Sequence, residues 1–243
     1  VRSPTDLDLP EVEWIIDSSA EPSVLAGSDG GMDYLLHSNL MGTYHCLELA
    51  RRRRAAMMFL STSRVYPFEP LRQLTYQETP SRFELQPEQA TVGISTHGIA
   101  EDFPLSGART LYGATKLASE LLITEYAESF DLPLIINRCG VLTGSWQMGK
   151  VDQGVVVLWM ARHLFGGQLS YIGYGGCGLQ VRDMLHVADL AELVRLQMEN
   201  TENHRGRTYN VGGGTKNTVS LRELTQWCEK ISGRKIDISA EPA

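Results

Sequence analysis

The feature that most constrains the fold is an alternation of short apolar runs with stretches of helical period. Val12–Asp17 (Val-Glu-Trp-Ile-Ile-Asp) is short, apolar and β-branched, and the Ser-Ser-Ala-Glu-Pro that follows ends it, so it reads as a buried strand. From Asn39 to Arg54 the apolar residues Leu40, Tyr44, Leu47 and Ala50 recur at helical spacing. Arg51–Arg54 close that stretch, where cations complement a helix dipole, and they read as a solvated helix end rather than a polyanion patch. A second buried strand, Ala56–Leu60, runs into the polar Ser61-Thr62-Ser63, and a helix over Leu111–Phe130 leads to a third strand at Leu134–Arg138. This order predicts an α/β protein with a doubly wound parallel sheet, in which ligands sit at the C-terminal ends of the strands. Thr62 stands at such an end.

Residues 67–108 carry Pro67, Pro70, Pro80, Pro87 and Pro104 and little periodicity, and an irregular stretch of that length in a compact domain usually has a function. After Gly144 a glycine-rich region holds a helix near Val155–Phe165 and a strand at Leu169–Ile172. A helix at Val187–Glu199, a strand at Thr208–Val211 and a helix opened by the capping-box pattern Ser220-x-x-Glu223 complete the chain. The expected division is a dinucleotide-type domain over 1–144, rejoined by 187–213, and a small substrate lobe formed by 145–186 and 214–243.

Composition narrows the function. The 243 residues are 42% hydrophobic and 21% charged with no long apolar tract, which predicts neither a membrane span nor disorder, and a cytoplasmic protein is the simplest expectation. A net charge of -7 offers nothing to attract nucleic acid. Cys46, Cys139, Cys177 and Cys228 show no Cys-x-x-Cys spacing and the six histidines no His-x-x-x-His pair, so neither a disulfide framework nor a metal site is expected.

Tyr112 and Lys116 lie four apart on the expected helix and share one face. A nearby ammonium favours a phenolate, so Lys116 is expected to bring Tyr112 toward working pH as a general base. Removing a proton from a sugar hydroxyl lets the carbon beneath it release hydride to a nicotinamide, and Thr62 would hydrogen-bond the same hydroxyl. Alone, Tyr-x-x-x-Lys marks a surface pair more often than a catalytic one. Its weight here comes from the Ser/Thr-rich strand end before it and the small Gly-Ala-Thr within it.

Taken in order, these motifs resemble the extended short-chain dehydrogenase/reductase family, specifically its sugar-nucleotide epimerases and dehydratases. Asn39-Leu-Met-Gly42-Thr43 is similar to the family's Asn-x-x-Gly-Thr helix, Ser61-Thr62-Ser63-Arg64-Val65-Tyr66 to its Ser-Thr-Ser-x-Val-Tyr strand end, and Tyr112-Gly-Ala-Thr-Lys116 to its Tyr-x-x-x-Lys helix. Downstream, Arg182-Asp183-Met-Leu-His186-Val-Ala-Asp189 and Tyr209-Asn210-Val-Gly-Gly-Gly follow the family pattern. The resemblance implies a Rossmann-like fold, with Thr62, Tyr112 and Lys116 catalytic. It implies cofactor contacts from Ser18, Ser19, Ala20, Asn39, Ser61, Tyr112, Lys116, Cys139 and Gly140. Thr62, Val141, Gln153 and Arg182 would face the substrate, with Arg182 pairing with its diphosphate rather than with Asp183. His186 and Asp189 would fix the loop and the next helix start.

Within the family, Gly98–Pro104, Gln147–Gly154 and Tyr171–Arg182 are most similar to the CDP-paratose (CDP-tyvelose) 2-epimerase group. That likeness implies NAD as cofactor, a nucleotide-diphosphate sugar as substrate, and a homodimer paired through the Asn39–Arg54 and Tyr112–Phe130 helices.

The sequence departs from the family at several points. No Gly-x-x-Gly-x-x-Gly fingerprint precedes Asp17, Gly27 with Gly30-Gly31 follows the wrong strand, and Val1-Arg2-Ser3 resembles a passage near the end of the family's third strand. The expectation is therefore a sheet whose N-terminal strands are missing from this stretch, and a stretch inactive by itself. Val141 stands where many relatives have a substrate-touching asparagine, which weighs against a galactose-epimerase reading. Ser63 and Arg64 follow Thr62 where 4,6-dehydratases carry Asp and Glu, which disfavours dehydration. Two alternatives remain open at this stage: a non-catalytic scaffold that lost its cofactor loop, and an NADP-dependent sugar-nucleotide reductase.

Overall fold

The computed structural model describes all residues except 2, 8, 10, 24, 28–30, 151, 152 and 243. Arg2 of the Val1-Arg2-Ser3 passage, Gly30, and Val151 and Asp152 of the Gln147–Gly154 passage lie outside the described residues. In chain order the elements are β1 (Trp14–Asp17), α1 (Met32–Leu35), α2 (Gly42–Arg53), β2 (Ala56–Thr62), α3 (Phe68–Arg72), β3 (Tyr76–Glu78), β4 (Phe83–Leu85), β5 (Ile94–Ser95), β6 (Gly98–Ile99), α4 (Leu111–Phe130), β7 (Leu134–Cys139) and β8 (Val141–Thr143). They continue with α5 (Val155–Phe165), β9 (Leu169–Ile172), β10 (Val181–His186), α6 (Val187–Glu199), α7 (Thr201–His204), β11 (Thr208–Val211), β12 (Thr218–Ser220), α8 (Leu221–Ser232) and β13 (Ile238–Glu241). Two compact units result, one of residues 1–72, 101–139 and 191–211, the other of residues 73–100, 140–190 and 212–243.

The first unit is built on a four-stranded sheet in the order β1-β2-β7-β11, parallel throughout. Its central strands read as continuous apolar runs because both faces are covered, and β7 is buried at every residue. Cys46, Leu47 and Ala50 from α2 and Ile123 from α4 pack on Met57, Phe59, Leu134 and Ile136. Each large side chain buried in that way stabilises the fold by roughly 1.5–3 kcal/mol. Parallel register brings the C-terminal ends of the strands together: Asp17 pairs with Phe59, Thr62 with Cys139, and Cys139 with Val211. Loops at this edge are where the fold can hold a ligand.

The helix expected from Asn39 starts earlier than its apolar pattern suggests. Helical backbone runs from Met32 to Arg53, and Leu36–Met41 within it is a π-segment. One extra residue per turn rotates Asn39 inward, where it is buried, and such π-turns concentrate at functional sites. Arg54 ends the helix in the left-handed region at φ 52. The helix over Leu111–Phe130 has the expected limits, and its N-cap is Thr110, whose hydroxyl accepts a 3.0 Å hydrogen bond from the Gly113 amide.

The second unit holds a three-stranded sheet ordered β12-β10-β8 and the parallel pair β13-β9. Its core joins Trp159 of α5, Leu169 of β9 and Leu221, Leu224 and Cys228 of α8. Trp159 donates its indole N–H to the Thr225 hydroxyl at 3.0 Å, so its one polar atom is satisfied in the core. The expected capping box is present: the Glu223 amide donates to Ser220 Oγ at 3.0 Å and the Ser220 amide to Glu223 Oε2 at 2.9 Å. Residues 73–100, read from the sequence as part of the first domain, belong to this unit, and the stretch expected to be irregular holds the hairpins β3-β4 and β5-β6. Three-residue and two-residue strands are too short to leave a periodic signal.

Arg82 grips the Glu223 carboxylate with two donors, Nε at 2.8 Å and Nη2 at 2.5 Å. Burial alone would push that carboxyl up, but Arg82, the Ser220 amide and the Ser81 hydroxyl override it and hold the group at about 2, against 4.5 for an unperturbed glutamate. A depressed acid contributes stability above its unfolded value and loses it as pH falls through the folded one. Glu223→Gln is therefore expected to cost about 2 kcal/mol at neutral pH. Urea unfolding as a function of pH should show that deficit constant at neutral pH and closing between 4.5 and about 2; a deficit independent of pH would refute the assignment.

Candidate active site

At the C-terminal edge of the first unit's sheet, β2 delivers Thr62 and the first turn of α4 delivers Tyr112, both buried. The Thr62 hydroxyl is a polar neighbour of the Tyr112 phenol and favours its ionised form. Thr62 Oγ1 also accepts from the Arg64 amide at 3.2 Å, which turns the chain out of the strand into the short 3-10 turn Ser63–Val65. Close approach of α4 to that turn depends on Gly113: a β-carbon there would lie 2.1 Å from the Arg64 carbonyl oxygen.

Lys116, one helical turn beyond Tyr112, is 2% exposed. Its ammonium donates to the Leu60 carbonyl at 2.9 Å and lies 4.2 Å from the centroid of the Phe59 ring. Burial pulls its pKa down, while Asp17, Cys139 and Glu120 push it back up. Tyr112 differs from its expected state. Burial is the dominant influence and raises the phenol above its ordinary value; Thr62 and Arg64 lower it, and Cys139 adds to the rise. Spacing on one helix face brought the two residues near each other, but the ammonium points to the Leu60 carbonyl.

The loop after β1 is held by two buried side chains. Asp17 accepts from the Ser19 amide at 3.1 Å, from Ser19 Oγ at 2.7 Å and from Thr43 Oγ1 at 2.8 Å. Asn39 Oδ1 accepts from the Glu21 amide at 2.7 Å, and its Nδ2 donates to the Glu21 carbonyl and to Thr115 Oγ1, both at 3.2 Å. Asn39 thereby ties the Ser18-Ser19-Ala20 loop to α4. Ser18 is exposed and Ser19 and Ala20 half-buried. Ser61 turns inward, donating to Glu120 Oε1 at 2.5 Å. Cys139, opposite Thr62 on β7, has its thiol pushed up to about 11 by burial.

Behind this cluster runs a buried polar network that sequence reading did not find. Arg138 donates to both Glu120 oxygens, at 2.8 Å from Nη2 and 3.2 Å from Nε, and to the Tyr66 hydroxyl at 3.1 Å, which donates to Asn210 Oδ1 at 2.7 Å. Glu120 lies four residues past Lys116 and eight past Tyr112, so the available signal was a third polar residue on one helix face.

Gly140, Val141, Gln153 and Arg182 belong to the second unit. Gly140 sits at the junction after β7, and Gln153 bridges Lys150 through backbone bonds of 2.7 and 3.2 Å. Val141 pairs with Met184 across β8 and β10, so Arg182, two residues before Met184, leaves the small sheet on the same face as Val141. Asp183 leaves on the other face and accepts from the Gly213 amide at 2.7 Å. His186 Nδ1 accepts from the Ala188 amide at 3.1 Å and caps α6, as expected of a loop-fixing residue.

A parallel sheet with Thr62, Tyr112 and Lys116 near its C-terminal edge is an α/β arrangement of the Rossmann type. Residues 10–212 match the sequence model of the NAD dependent epimerase/dehydratase family, and the chain belongs to that family. It is 30% identical over 195 residues to the CDP-paratose 2-epimerase of Salmonella typhi, a match covering 79% of this chain and 55% of that protein. Identity to the dTDP-glucose 4,6-dehydratase of Salmonella typhimurium is 28% over 178 residues, covering 73% of this chain and 45% of that one. The UDP-glucose 4-epimerase of Thermus thermophilus, solved as a complex with NAD, superimposes with a TM-score of 0.71 at 24% identity, covering 95% of this chain and 65% of that one. The chain thus spans about half the length of the curated relatives it matches. No helix among the described residues is long and apolar enough to cross a membrane.

Proposed function

We propose that this chain is the catalytic part of an NAD-dependent sugar-nucleotide epimerase, with a nucleotide-diphosphate sugar as substrate and chemistry close to that of the CDP-paratose 2-epimerases. The observation that carries the reading is the burial of Thr62, at a strand end, and Tyr112 together with Lys116 one helical turn away. Lys116 supports the cofactor assignment: a buried ammonium has three donors, and one acceptor, the Leu60 carbonyl, answers it among the described residues. A ribose hydroxyl suits the remaining donors.

When bound, NAD would supply a hydride acceptor that later returns what it took. Lys116 would hold the cofactor's ribose, and the Ser18-Ser19-Ala20 loop, fixed by Asp17 and Asn39, would run beside it with Cys139 and Gly140. Thr62 would hydrogen-bond the reacting sugar hydroxyl and orient it toward Tyr112. Tyr112 would take the hydroxyl proton as the carbon is oxidised and give it back on reduction, with no net change in the protein. Its raised pKa keeps the phenol protonated at rest, so proton removal would need the positive charge of the oxidised cofactor beside it. Arg182 would clamp the diphosphate, since a guanidinium matches that group with paired donors. Epimerisation is favoured over dehydration because Ser63 and Arg64 follow Thr62, and neither can relay the proton of a leaving hydroxyl as a carboxylic acid does. We assign a homodimer and a cytoplasmic setting to the same proposal.

NMR of CDP-, dTDP- and UDP-hexoses incubated with the protein in the presence of NAD tests the reading. Interconversion of two ring epimers with no change in bulk NAD is expected. Loss of water from the sugar would make it a dehydratase, net oxidation or reduction would make it a reductase, and binding of neither NAD nor any nucleotide sugar would make it a scaffold.

A further inference from the structure

We propose that Asp17 is the counter-charge that keeps Lys116 protonated in its buried position, and so acts as a positioning residue for the strand-end cluster. Its functional weight rests on the epimerase reading above. Asp17 and Phe59 are direct partners in the parallel pair β1-β2, so their side chains leave the sheet on one face. The Lys116 ammonium lies over that same Phe59 ring at 4.2 Å, which places the carboxylate of β1 and the cation of α4 on one side of the sheet. Asp17 is itself 3% exposed and held by three donors, two from Ser19 and one from Thr43 of α2. None of those donors carries a charge.

The other groups facing Lys116 cannot take the role. Glu120, on the same helix, is already bound by Arg138 through both oxygens and by Ser61. Cys139 on β7 is a buried thiol pushed up to about 11, neutral at working pH. Tyr112 is a phenol raised by burial. Asp17 stands first among the charges that oppose the effect of burial on Lys116. The same carboxylate orders the Ser19 backbone, so one buried acid couples the protonation of the lysine to the shape of the loop after β1.

Asp17→Asn is the informative change. Thr43 Oγ1 lies 2.8 Å from Asp17 Oδ2 and 3.0 Å from the Asn39 carbonyl, so its hydroxyl can donate to Asn39 and accept from the new amide, leaving the packing intact. The protein has five lysines, and 13C-lysine labelling with Lys116→Met as the assignment control isolates the Lys116 signal. Its titration midpoint is expected to fall by about one pH unit in Asp17→Asn and to return most of the way in Asp17→Glu. A midpoint that moves by less than about 0.3 unit in Asp17→Asn, or by the same amount in both variants, would overturn the proposal. Should Asp17→Asn not fold, the smaller Asp17→Ser is read by the same two criteria. Neither substrate nor cofactor enters this measurement, so its failure leaves the enzymatic reading to its own test. Within that reading, the alkaline limb of the turnover pH profile should shift with the Lys116 midpoint, which a purely structural role for Asp17 would not produce.

Discussion

Glu120→Leu is expected to destabilise the first unit by about 3–5 kcal/mol, because it leaves the Arg138 guanidinium buried without its carboxylate. Both members of the pair are almost wholly enclosed, with side-chain exposures of 6% for Arg138 and 4% for Glu120. Desolvation is the adverse contribution there, and the two-pronged contact with Glu120 and the Tyr66 hydroxyl offset it. The pair as a whole need not stabilise the fold relative to an apolar core. Glu120→Leu combined with Arg138→Met should therefore recover most of the loss, since no buried charge is left unanswered. Urea midpoints at constant m-value measure both. A single variant within about 1 kcal/mol of the parent, or a double variant no better than the single, would show that the network is not a closed electrostatic unit.

Gly113→Ala is expected to damage activity out of proportion to its size. The added methyl would lie 2.1 Å from the Arg64 carbonyl oxygen and 3.0 Å from its carbon, and neither is a flexible chain end that can swing away. Either the Ser63–Val65 turn or the first turn of α4 must move, and both carry the cluster: Thr62 opens the turn and Tyr112 precedes Gly113 directly. Overpacking of this kind costs about 1–3 kcal/mol in stability. A displacement near 1 Å at reacting groups costs on the order of 100-fold in turnover. Epimerisation assays alongside thermal unfolding separate the two effects, and a variant that keeps more than about a third of parental turnover would show that the close approach is not needed.

Much of this architecture was legible because it rests on periodicity and on backbone chemistry. The apolar strands Ala56–Thr62 and Leu134–Cys139 announce a sheet covered on both faces, Ser220 and Glu223 cap α8 as their spacing predicts, and Thr62 falls at a strand end because polar residues interrupt the run there. What was not legible depends on where side chains meet across the chain. The π-segment at Leu36–Met41 changes the phase of a helix without changing its composition, so Asn39 reads as a helix start and is an inward-facing clamp. Glu120 and Arg138 are 18 residues apart and become a pair only because α4 packs on β7. Tyr112 departs from its expected state for a related reason: a helix spacing reports that Lys116 is near, but the direction of its ammonium and the depth of burial are tertiary facts.

In the proposed reaction the Tyr112 hydroxyl moves the proton of the reacting sugar. Tyr112→Phe removes that oxygen alone, and the NAD-loaded protein supplied with a nucleotide sugar deuterated at the reacting carbon reads the consequence. Transfer of deuterium to the cofactor is expected to slow by about 10²–10⁴-fold, with nucleotide-sugar binding unchanged. Transfer within about threefold of the parental rate would contradict it.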